Sequence, residues 1–295
     1  MDRLEHDAKT NMDTRREYAR ELTRRGDVRG RLLELSIEPS KQAWLEIHEV
    51  LLSDSALIEW LSGYLWHWIE LDLEATEIID LTPIKGLTNL QKLDLFGTQV
   101  SDLTPLKGLN NLQVLWLNST KVVDLTPLKG LTNLQEFVLS DTKVEDLSPL
   151  KGLNNLQELT LYKTKVSDLS PLKGLTSLRK LNFRITQVSD LSPLVNLTNI
   201  KWLDLNWTQV SDLSPLKGLT DLKYLNLSFT QVSDLTPLRG LMNLESLYLE
   251  ETQVSDLSPL KDLISLEYLE LEDSQVTDLS PIQRLLDGGL EVFGL

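Results

Sequence analysis

The chain has 295 residues, no cysteine and a formal net charge of −15, from 44 acidic and 29 basic residues. Without cysteine it can form neither disulfides nor thiolate metal sites, and it has no cysteine nucleophile. The negative charge argues against a nucleic-acid partner, because proteins that neutralise phosphates are usually basic. The acidity is concentrated at the C-terminal end, where residues 244–295 hold 12 acidic and 2 basic residues.

Targeting and membrane-spanning segments are not recognisable in the sequence. No apolar run approaches the ~18 residues that a membrane-spanning helix needs. Residues 1–20 are charged throughout and lack the apolar core of a signal peptide. We therefore expect no membrane partner and a cytoplasmic location.

Residues 1–67 have the patterning of helices. Helical character is strongest in residues 15–35, 41–52 and 55–61. Four tryptophans provide bulk for covering the first unit of the array that follows, namely Trp44, Trp60, Trp66 and Trp68. We predict a helical N-terminal cap over residues 1–67.

A 22-residue repeat follows, and proline marks its period. Ten prolines fall at intervals of 22 residues from Pro83 to Pro281, and an aspartate stands three residues before each of them. The unit that begins at Leu90 reads LQKLDLFGTQVSDLTPLKGLTN. We predict about ten such repeats over residues 68–287.

Each unit predicts a short strand followed by a tight turn. Leu93 and Leu95 alternate with outward-pointing neighbours, which is the period of a strand with one buried face. The Ser/Thr-Pro pair predicts a hydroxyl cap with proline at the first helical position, and glycine ends the turn. Because one unit cannot bury its leucines alone, the units must stack into a solenoid with a continuous core.

The period, the leucine spacing and the D-L-S/T-P-L turn together resemble the leucine-rich-repeat family, in the 22-residue bacterial form typified by the internalins. The resemblance implies an α/β solenoid, a right-handed horseshoe or arc. Its parallel β-sheet would line the concave face, with short 3-10 or helical turns on the convex face. Residues 18–35, with Ala19, Leu22, Gly26 and Gly30, are similar to the small repeat-companion domain that precedes many bacterial repeat arrays. That similarity implies a structural role.

Two polar columns run through the repeats. A column of threonines occupies the place where the family usually has asparagine, and we expect its hydroxyls to bond turn backbone groups between coils. The column consists of Thr76, Thr98, Thr120, Thr142, Thr164, Thr186, Thr208, Thr230, Thr252 and then Ser274. We expect the ten aspartates to bond backbone N–H groups at their own turns. A calcium ladder is the alternative, but it needs more than one acidic ligand per coil.

Residues 288–295 follow the last repeat. The segment from Gly288 to Phe293 predicts a final short strand that closes the last coil, with a register that slips by about one residue from the period.

The sequence offers no catalytic constellation, and we predict that the protein is not an enzyme. All three histidines, His6, His48 and His67, precede the repeats, so no Ser-His-Asp triad fits within the array. Neither a phosphate-binding glycine loop nor a dinucleotide fingerprint is present. A metal shared by His48 and His67 with Glu46 or Glu49 is the alternative to packed cap histidines, which are the expectation. We predict neither a metal nor a cofactor.

The outward strand positions vary from unit to unit, whereas the turn positions are nearly copied. Exposure alone does not explain this, because the lysine of the P-L-K-G-L turn is also exposed and barely changes. Large aromatics accumulate on the variable face, and Tyr and Trp are enriched at interface hot spots. They lead into an acidic C-terminal end, which indicates a partner with an apolar centre and a basic edge. Aromatic stacking that only stabilises the sheet is the alternative.

We therefore predict a monomeric, non-enzymatic module whose concave sheet face binds a partner protein. The predicted binding residues are Phe96, Trp116, Tyr162, Arg184, Trp202, Asp204, Trp207, Tyr224, Phe229, Tyr248, Glu250, Tyr268, Glu270 and Glu272. One alternative is a binder of carbohydrate or another small ligand that stacks on the aromatics. Another is an exported, internalin-like host-interaction factor, against which the lack of a recognisable signal sequence argues.

Overall fold

Five helices form the N-terminal region of the computed structural model, which describes residues 2–54 and 56–294. They are α1 (Asp2–Ala8), α2 (Met12–Arg24), α3 (Val28–Ile37), α4 (Lys41–Ser53) and α5 (Ala56–Ser62). Ser55, where the third predicted helical segment begins, lies outside the described residues, as do Met1 and Leu295. No helix in the described part of the chain is both long and apolar enough to cross a membrane.

The structure divides the predicted helical segment 15–35 at Gly26. Gly26 has φ 73°, in the left-handed region that favours glycine, two residues after the end of α2. Asp27 then caps α3, because its side chain accepts a hydrogen bond from the Arg29 N–H at 3.0 Å. The Gly-Asp pair therefore ends one helix and begins the next.

Aromatic side chains join the helices to the first coil. Trp44 and Trp68 are fully buried and contact each other, with ring centroids 5.6 Å apart. The Trp68 indole N–H donates to the Ser36 carbonyl at 2.9 Å, which ties the end of α3 to the start of the sheet. Trp60 is half-buried and Trp66 is 44% exposed, so Trp66 is the least buried of the four tryptophans.

Two of the three histidines in the cap, His48 and His67, lie in hydrogen-bonded positions. His67 Nδ1 lies 3.3 Å from the guanidinium of Arg15, which is itself fully buried and donates to two backbone carbonyls. Burial and then the Arg15 charge lower the pKa of His67, so this histidine is neutral near pH 7. His48 Nε2 lies 2.6 Å from the Asp80 carbonyl oxygen. His67 therefore has its partner within the cap, whereas His48 joins the cap to the first repeat.

Eleven parallel strands form one open sheet in sequential order. They are β1 (Glu70–Asp72), β2 (Lys92–Asp94), β3 (Val114–Trp116), β4 (Glu136–Val138), β5 (Glu158–Thr160), β6 (Lys180–Asn182), β7 (Trp202–Asp204), β8 (Tyr224–Asn226), β9 (Ser246–Tyr248), β10 (Tyr268–Glu270) and β11 (Glu291–Phe293). Neighbouring strands pair at an offset of 22 residues, as in Glu70 with Lys92. The last pair is Tyr268 with Glu291, so β11 carries the one-residue slip that the sequence predicts.

A 3-10 turn follows each strand from β1 to β10, and the helix α6 (Gln283–Asp287) extends the last one. The aspartate caps each turn, as Asp102 accepts a hydrogen bond from the Thr104 N–H at 2.8 Å, and this bond recurs at all ten aspartates. That prediction is confirmed. The predicted hydroxyl cap was wrong, because Thr104 and its equivalents begin the turn and proline takes its second position. The hydroxyl can instead donate to the aspartate, as Ser170 does to Asp168 at 2.8 Å.

The threonine column bonds within each coil, which corrects the expectation of bonds between coils. Thr142 Oγ1 donates to the Leu139 carbonyl at 2.8 Å, and all nine threonines bond the residue three positions back. Asparagines just before the strands make the bonds between coils, as Asn133 donates to the Asn110 carbonyl at 2.8 Å. The members of this asparagine ladder are Asn89, Asn111, Asn133, Asn155, Asn199 and Asn243. The T-N-L or N-N-L that precedes the strands β2 to β5 was its signal in the sequence.

The core is a stack of leucines that neighbouring coils share. In the coil from Leu90, the side chains of Leu93, Leu95 and Val100 are fully buried. Phe137 and Phe183 replace leucine in two coils and are equally buried. Each buried side chain contributes roughly 1.5–3 kcal/mol. This contribution depends on the coils above and below, so the array is rigid and holds the opposite sheet face in fixed register.

Candidate functional site on the sheet face

The sheet face is built from the residues that flank each buried strand centre. In β7, Leu203 is buried in the core, while Trp202 and Asp204 stand on the other side of the sheet. Asn206 and Trp207 follow as the strand leaves the sheet. The same four positions recur in every coil, so neighbouring coils align their outward side chains in rows.

An aromatic ladder crosses the face from β7 to β11. It consists of Trp202, Tyr224, Tyr248, Tyr268 and Phe293, whose successive ring centroids are 4.8, 5.1, 5.0 and 4.8 Å apart. The first four are half-buried, and Phe293 is 43% exposed. Phe293 was not among the predicted site residues. Its signal was the one-residue slip of β11, which brings Phe293 opposite Glu270.

A second stack, of Trp207 and Phe229, lies beyond the ends of β7 and β8. The two rings are nearly parallel, at 10°, with centroids 4.5 Å apart, and Trp207 is 53% exposed. Both residues have φ 57°, the left-handed region, where Gly97 stands in an earlier coil. Such a conformation costs a bulky residue of order 1–3 kcal/mol. The chain thus carries two large rings, the exposed Trp207 and the half-buried Phe229, at a position that favours glycine.

A polar floor lies between the aromatic ladder and the second stack. It is formed by Asp204 and Asn206 from one coil and by Asn226 and Ser228 from the next. Asp204 accepts a hydrogen bond from the Asn206 N–H, and Asn226 accepts one from the Ser228 N–H, both at 2.9 Å. Asp204 was predicted as a surface residue, but it is only 6% exposed, and burial raises its pKa.

The aromatic residues nearer the N-terminus are already paired with other groups of the face. The Trp116 indole N–H donates to Glu136 at 2.7 Å, and the Lys92 ammonium lies 4.2 Å from the Trp116 ring centroid. The Arg184 guanidinium lies 5.7 Å from the Tyr162 ring centroid. The predicted site residues Trp116, Tyr162 and Arg184 therefore make their interactions within the chain.

The carboxylates nearer the N-terminus also have cations beside them. Asp72, Glu74 and Asp94 have oxygens within 4.8 Å of one another, and the Lys41 ammonium lies 3.8 Å from Asp72. Burial raises the pKa of Asp94, the Phe96 N–H lowers it, and the charges of Asp72 and Glu74 raise it further, with Lys92 as the smallest opposing influence. The cap and the face thus supply their own positive charge at this end.

An acidic group occupies the C-terminal end of the face, made of Glu250, Glu251, Glu270, Glu272 and Asp273. None of these carboxylates forms an ion pair with any residue that the structure describes. Burial, followed by the charges of Glu272 and Glu270, raises the pKa of Glu250. The Tyr268 hydroxyl donates to Glu270 at 3.1 Å. The acidic group therefore lies next to the aromatic ladder with its charges mutually repelling.

Three kinds of comparison relate the chain to known proteins. A family model described as Leucine Rich repeats (2 copies) matches residues 88–130, 110–152, 132–174, 154–196, 198–240 and 243–284. A comparison with curated proteins gives no significant match. Solved structures, in contrast, match over most of the chain.

Two of these structures are internalins from Listeria monocytogenes. The internalin inlF is 33% identical, with a TM-score of 0.76, over 79% of this chain and 68% of that one. The internalin C2 is 36% identical, with a TM-score of 0.62, over 64% of this chain and 83% of that one. A leucine-rich-repeat protein from Leptospira interrogans has 20% identity and a TM-score of 0.62, over 79% of this chain and 74% of its own, and supports the fold alone.

Proposed function

The chain belongs to the internalin-like class of bacterial leucine-rich-repeat proteins, and from this premise we propose that it binds a partner protein through the sheet face of β7–β11. Leucine-rich-repeat domains are in general protein-binding modules. The aromatic ladder is the observation that carries the proposal for this chain. Five rings run without a break across five coils, beside an acidic group that has no cation among the described residues.

The second stack supports binding over a purely structural role for the aromatics. Stacking between neighbouring strands stabilises a sheet, so the aromatic ladder alone fits both interpretations. Trp207 and Phe229, however, occupy left-handed positions that disfavour bulky side chains. The same conformation recurs at this position from Ala75 to Asp273, so the coil geometry imposes it, and the large rings are what distinguish these two coils. A role in recognition accounts for large rings at these positions.

We propose further that the partner presents a basic edge to the acidic group. Opposite charge in the partner would relieve the repulsion around Glu250 and would accelerate association. The same reasoning favours a protein over a nucleic acid, whose phosphates the acidic group would repel. We propose that the chain acts as a monomer, without catalysis and in the cytoplasm. An exported host-interaction factor is the alternative location, and fractionation of the native host distinguishes the two.

The test is affinity capture from a lysate of the native host with the full chain as bait and mass spectrometry as the readout. The variant W202A/Y224A/Y248A is the negative bait, and K107A/K129A/K151A, which changes three exposed turn lysines on the opposite side, is its matched control. Circular dichroism checks that both variants fold. We expect one partner to be retained by the wild-type and lysine-variant baits and lost from the aromatic variant. Retention by all three baits would contradict the proposal.

Carbohydrate is the second candidate ligand, because aromatic rings beside polar side chains can stack on sugars. In this protein the rings of Trp202 and Tyr224 stack on each other at 9°, so each covers one face of the other. That arrangement leaves less free ring face for a sugar. A glycan array probed with the full chain tests this alternative, and we expect no saturable binding.

A further inference from the structure

The helices α1 and α2 pack together as a hairpin that lies against residues 60–67, the end of α5 and the segment that follows it. At one point of this contact the Trp60 indole N–H donates to Glu5 of α1 at 3.4 Å. At another, the guanidinium of Arg15 from α2 lies 5.5 Å from the ring centroid of Tyr64, which is fully buried. Charged side chains therefore help to hold the hairpin in place, together with the apolar side chains that α2 buries.

Arg15 is fully buried, and no carboxylate among the described residues forms an ion pair with it. Its Nε donates to the Ala8 carbonyl at 3.1 Å, and its Nη2 donates to the Lys9 carbonyl at 3.4 Å. The remaining nitrogen, Nη1, lies 3.3 Å from His67 Nδ1. Burial lowers the pKa of Arg15 to about 10, so the guanidinium stays charged at neutral and acidic pH. Buried charges are usually paired with opposite ones, but here uncharged acceptors take that place.

The contact between Arg15 and His67 requires the histidine to be neutral. A guanidinium has only N–H donors, so His67 Nδ1 accepts the hydrogen bond and the ring proton is on Nε2. In the protonated ring both nitrogens carry a proton, and a positively charged donor would then face the Arg15 donor. His67 Nε2 is buried and has no hydrogen-bond partner among the described residues, which therefore offer nothing on that side to offset a second charge.

The surroundings of His67 make this contact sensitive to acid. Burial, followed by the charge of Arg15, lowers the pKa of His67, and backbone groups of Ser36, Ile37 and Tyr64 oppose this to a smaller extent. An exposed histidine takes up a proton near about pH 6.5. As pH falls below this value, a state in which the contact is open therefore binds the proton before the closed state does. The closed state is fully favoured above about pH 6.5 and loses its advantage progressively, until pH reaches the lower pKa of the buried ring.

Other charged or titratable groups around the contact come from α1 to α4. Glu5 of α1 and Arg29 of α3 act on the Tyr64 hydroxyl, and Arg29 is itself paired with Asp27. His48 of α4 bonds a backbone carbonyl of the first coil instead. None of these side chains forms a hydrogen bond with Arg15 in the described part of the chain, so His67 is the titratable partner of that guanidinium. The groups that face Tyr64 and Arg15 are Glu5, Lys9, Tyr18 and Arg29.

We infer that the Arg15–His67 contact is an acid-sensitive latch, which holds the α1–α2 hairpin on residues 60–67 near pH 7 and loosens the hairpin when acid protonates His67. The segment that carries His67 continues into Trp68, which is fully buried and donates to the Ser36 carbonyl, and then into β1. The latch thus controls how firmly the cap is attached to the first coil. It lies apart from the sheet face of β7–β11, so it goes beyond the proposed function and does not depend on the partner.

The experiment is hydrogen–deuterium exchange of the full chain at about pH 7.5 and about pH 5.5, on either side of the ordinary histidine value, with correction for the intrinsic effect of pH on exchange. In the wild type we expect the protection of α1 and α2 to fall about five-fold at the lower pH, because opening takes up a proton. The repeats from β3 to β10 should keep their protection. H67N should remove the pH effect, since an amide oxygen can accept from Arg15 but takes up no proton. H6N is the matched control, because His6 is exposed on the same hairpin, and it should behave as the wild type.

A second measurement uses the unaltered chain. NMR titration of the His67 ring signals should give a pKa below about 6.5. A value at or above 6.5 would overturn the inference, and this result is decisive even where H67N fails to fold. Unchanged protection of the hairpin in the wild type, an equal loss of protection in the repeats, an equal pH effect in H67N, or loss of the effect in H6N would overturn it as well.

Discussion

The two halves of the sheet face are built on the same repeat, but their side chains are satisfied in different ways. From β3 to β7 three aromatic rings of the face have cations of the chain beside them, as Lys92 lies over Trp116, Arg184 over Tyr162 and Lys180 over Trp202. From β8 to β11 the rings contact one another, and the acidic group beside them has no ion pair among the described residues. Aromatic residues on the sheet face therefore do not by themselves mark a binding site.

The difference matters because binding gains free energy only from interactions that the free protein lacks. A ring that already contacts a cation has less to gain from a partner. The unpaired carboxylates and the buried acceptors near Asp204 gain an interaction that the free chain does not supply. The C-terminal half is therefore where a partner has the most to contribute.

Charge reversal in the acidic group should produce the largest difference in partner affinity between the two halves of the sheet face. The variant E250K/E270K/E272K should weaken the captured partner about 100-fold, because three favourable contacts become repulsive. The matched variant E70K/D72K/E74K reverses three carboxylates at the other end of the face and should change the affinity less than about three-fold. Isothermal titration calorimetry at constant ionic strength measures both, and similar losses in the two variants would refute the distinction between the halves.

Two aromatic variants separate binding from stability. Y248A should weaken the partner about 30-fold, or ~2 kcal/mol, because the Tyr248 ring contacts only other rings of the aromatic ladder. W116A should leave the affinity nearly unchanged and lower the free energy of unfolding by roughly 1–2 kcal/mol, because the interactions of Trp116 with Glu136 and Lys92 are lost. Calorimetry and urea denaturation give the two quantities. A larger affinity loss in W116A than in Y248A would reverse the comparison.

Glycine substitutions at the left-handed positions test whether the chain retains strain for binding. Ile185 has φ 54° and is 39% exposed, so I185G should stabilise the chain by about 1 kcal/mol in urea denaturation. W207G relieves the same strain but loses the stack with Phe229, so its gain in stability should be smaller. W207G should also weaken the partner, whereas I185G should not. Equal affinities of both variants with the wild type would remove the second stack from the binding site.

The smallest effect concerns the repulsion within the acidic group. The pKa of Glu250 is raised by burial and by neighbouring carboxylates, so its ionised form is disfavoured in the folded chain. E250Q should therefore stabilise the chain at pH 7 by a few tenths of a kcal/mol, after allowance for screening by solvent. As pH falls through this pKa, Glu250 takes up a proton and the advantage of glutamine should disappear. Glu158 lies 3.5 Å from Lys180, and E158Q should give no such gain.

The sequence was sufficient for the solenoid because the period repeats ten times. Each proline from Pro83 to Pro281 has an aspartate three residues before it, and this pair recurs every 22 residues. The strict period allows only one placement of the strand and the turn within each unit. The sequence was less informative about which polar atom bonds which backbone group. Asp102 and Thr104 both suit a cap, and the choice between them depends on turn geometry. The asparagine ladder was missed because its bonds connect residues 23 positions apart in adjacent coils.

The predicted binding residues mixed two kinds of position that look alike in the sequence. Alternation places both Trp116 and Trp202 on the face, but it does not reveal that Trp116 lies against Glu136 from the next coil. Asp204 was expected on the surface, and its burial results from the crowded side chains around it. Phe293 depends on the register of the last strand, which lies outside the strict period. Contacts between coils therefore separate the two halves of the face, and they require the structure.

Hydroxyl-radical footprinting of the full chain, with and without the captured partner, shows which part of the sheet face the partner covers. We expect the partner to protect Trp202, Tyr224, Tyr248 and Tyr268 from oxidation and to leave Trp116 unchanged. Protection confined to Trp116 and the strands before β7, or no protection anywhere on the sheet face, would contradict this expectation.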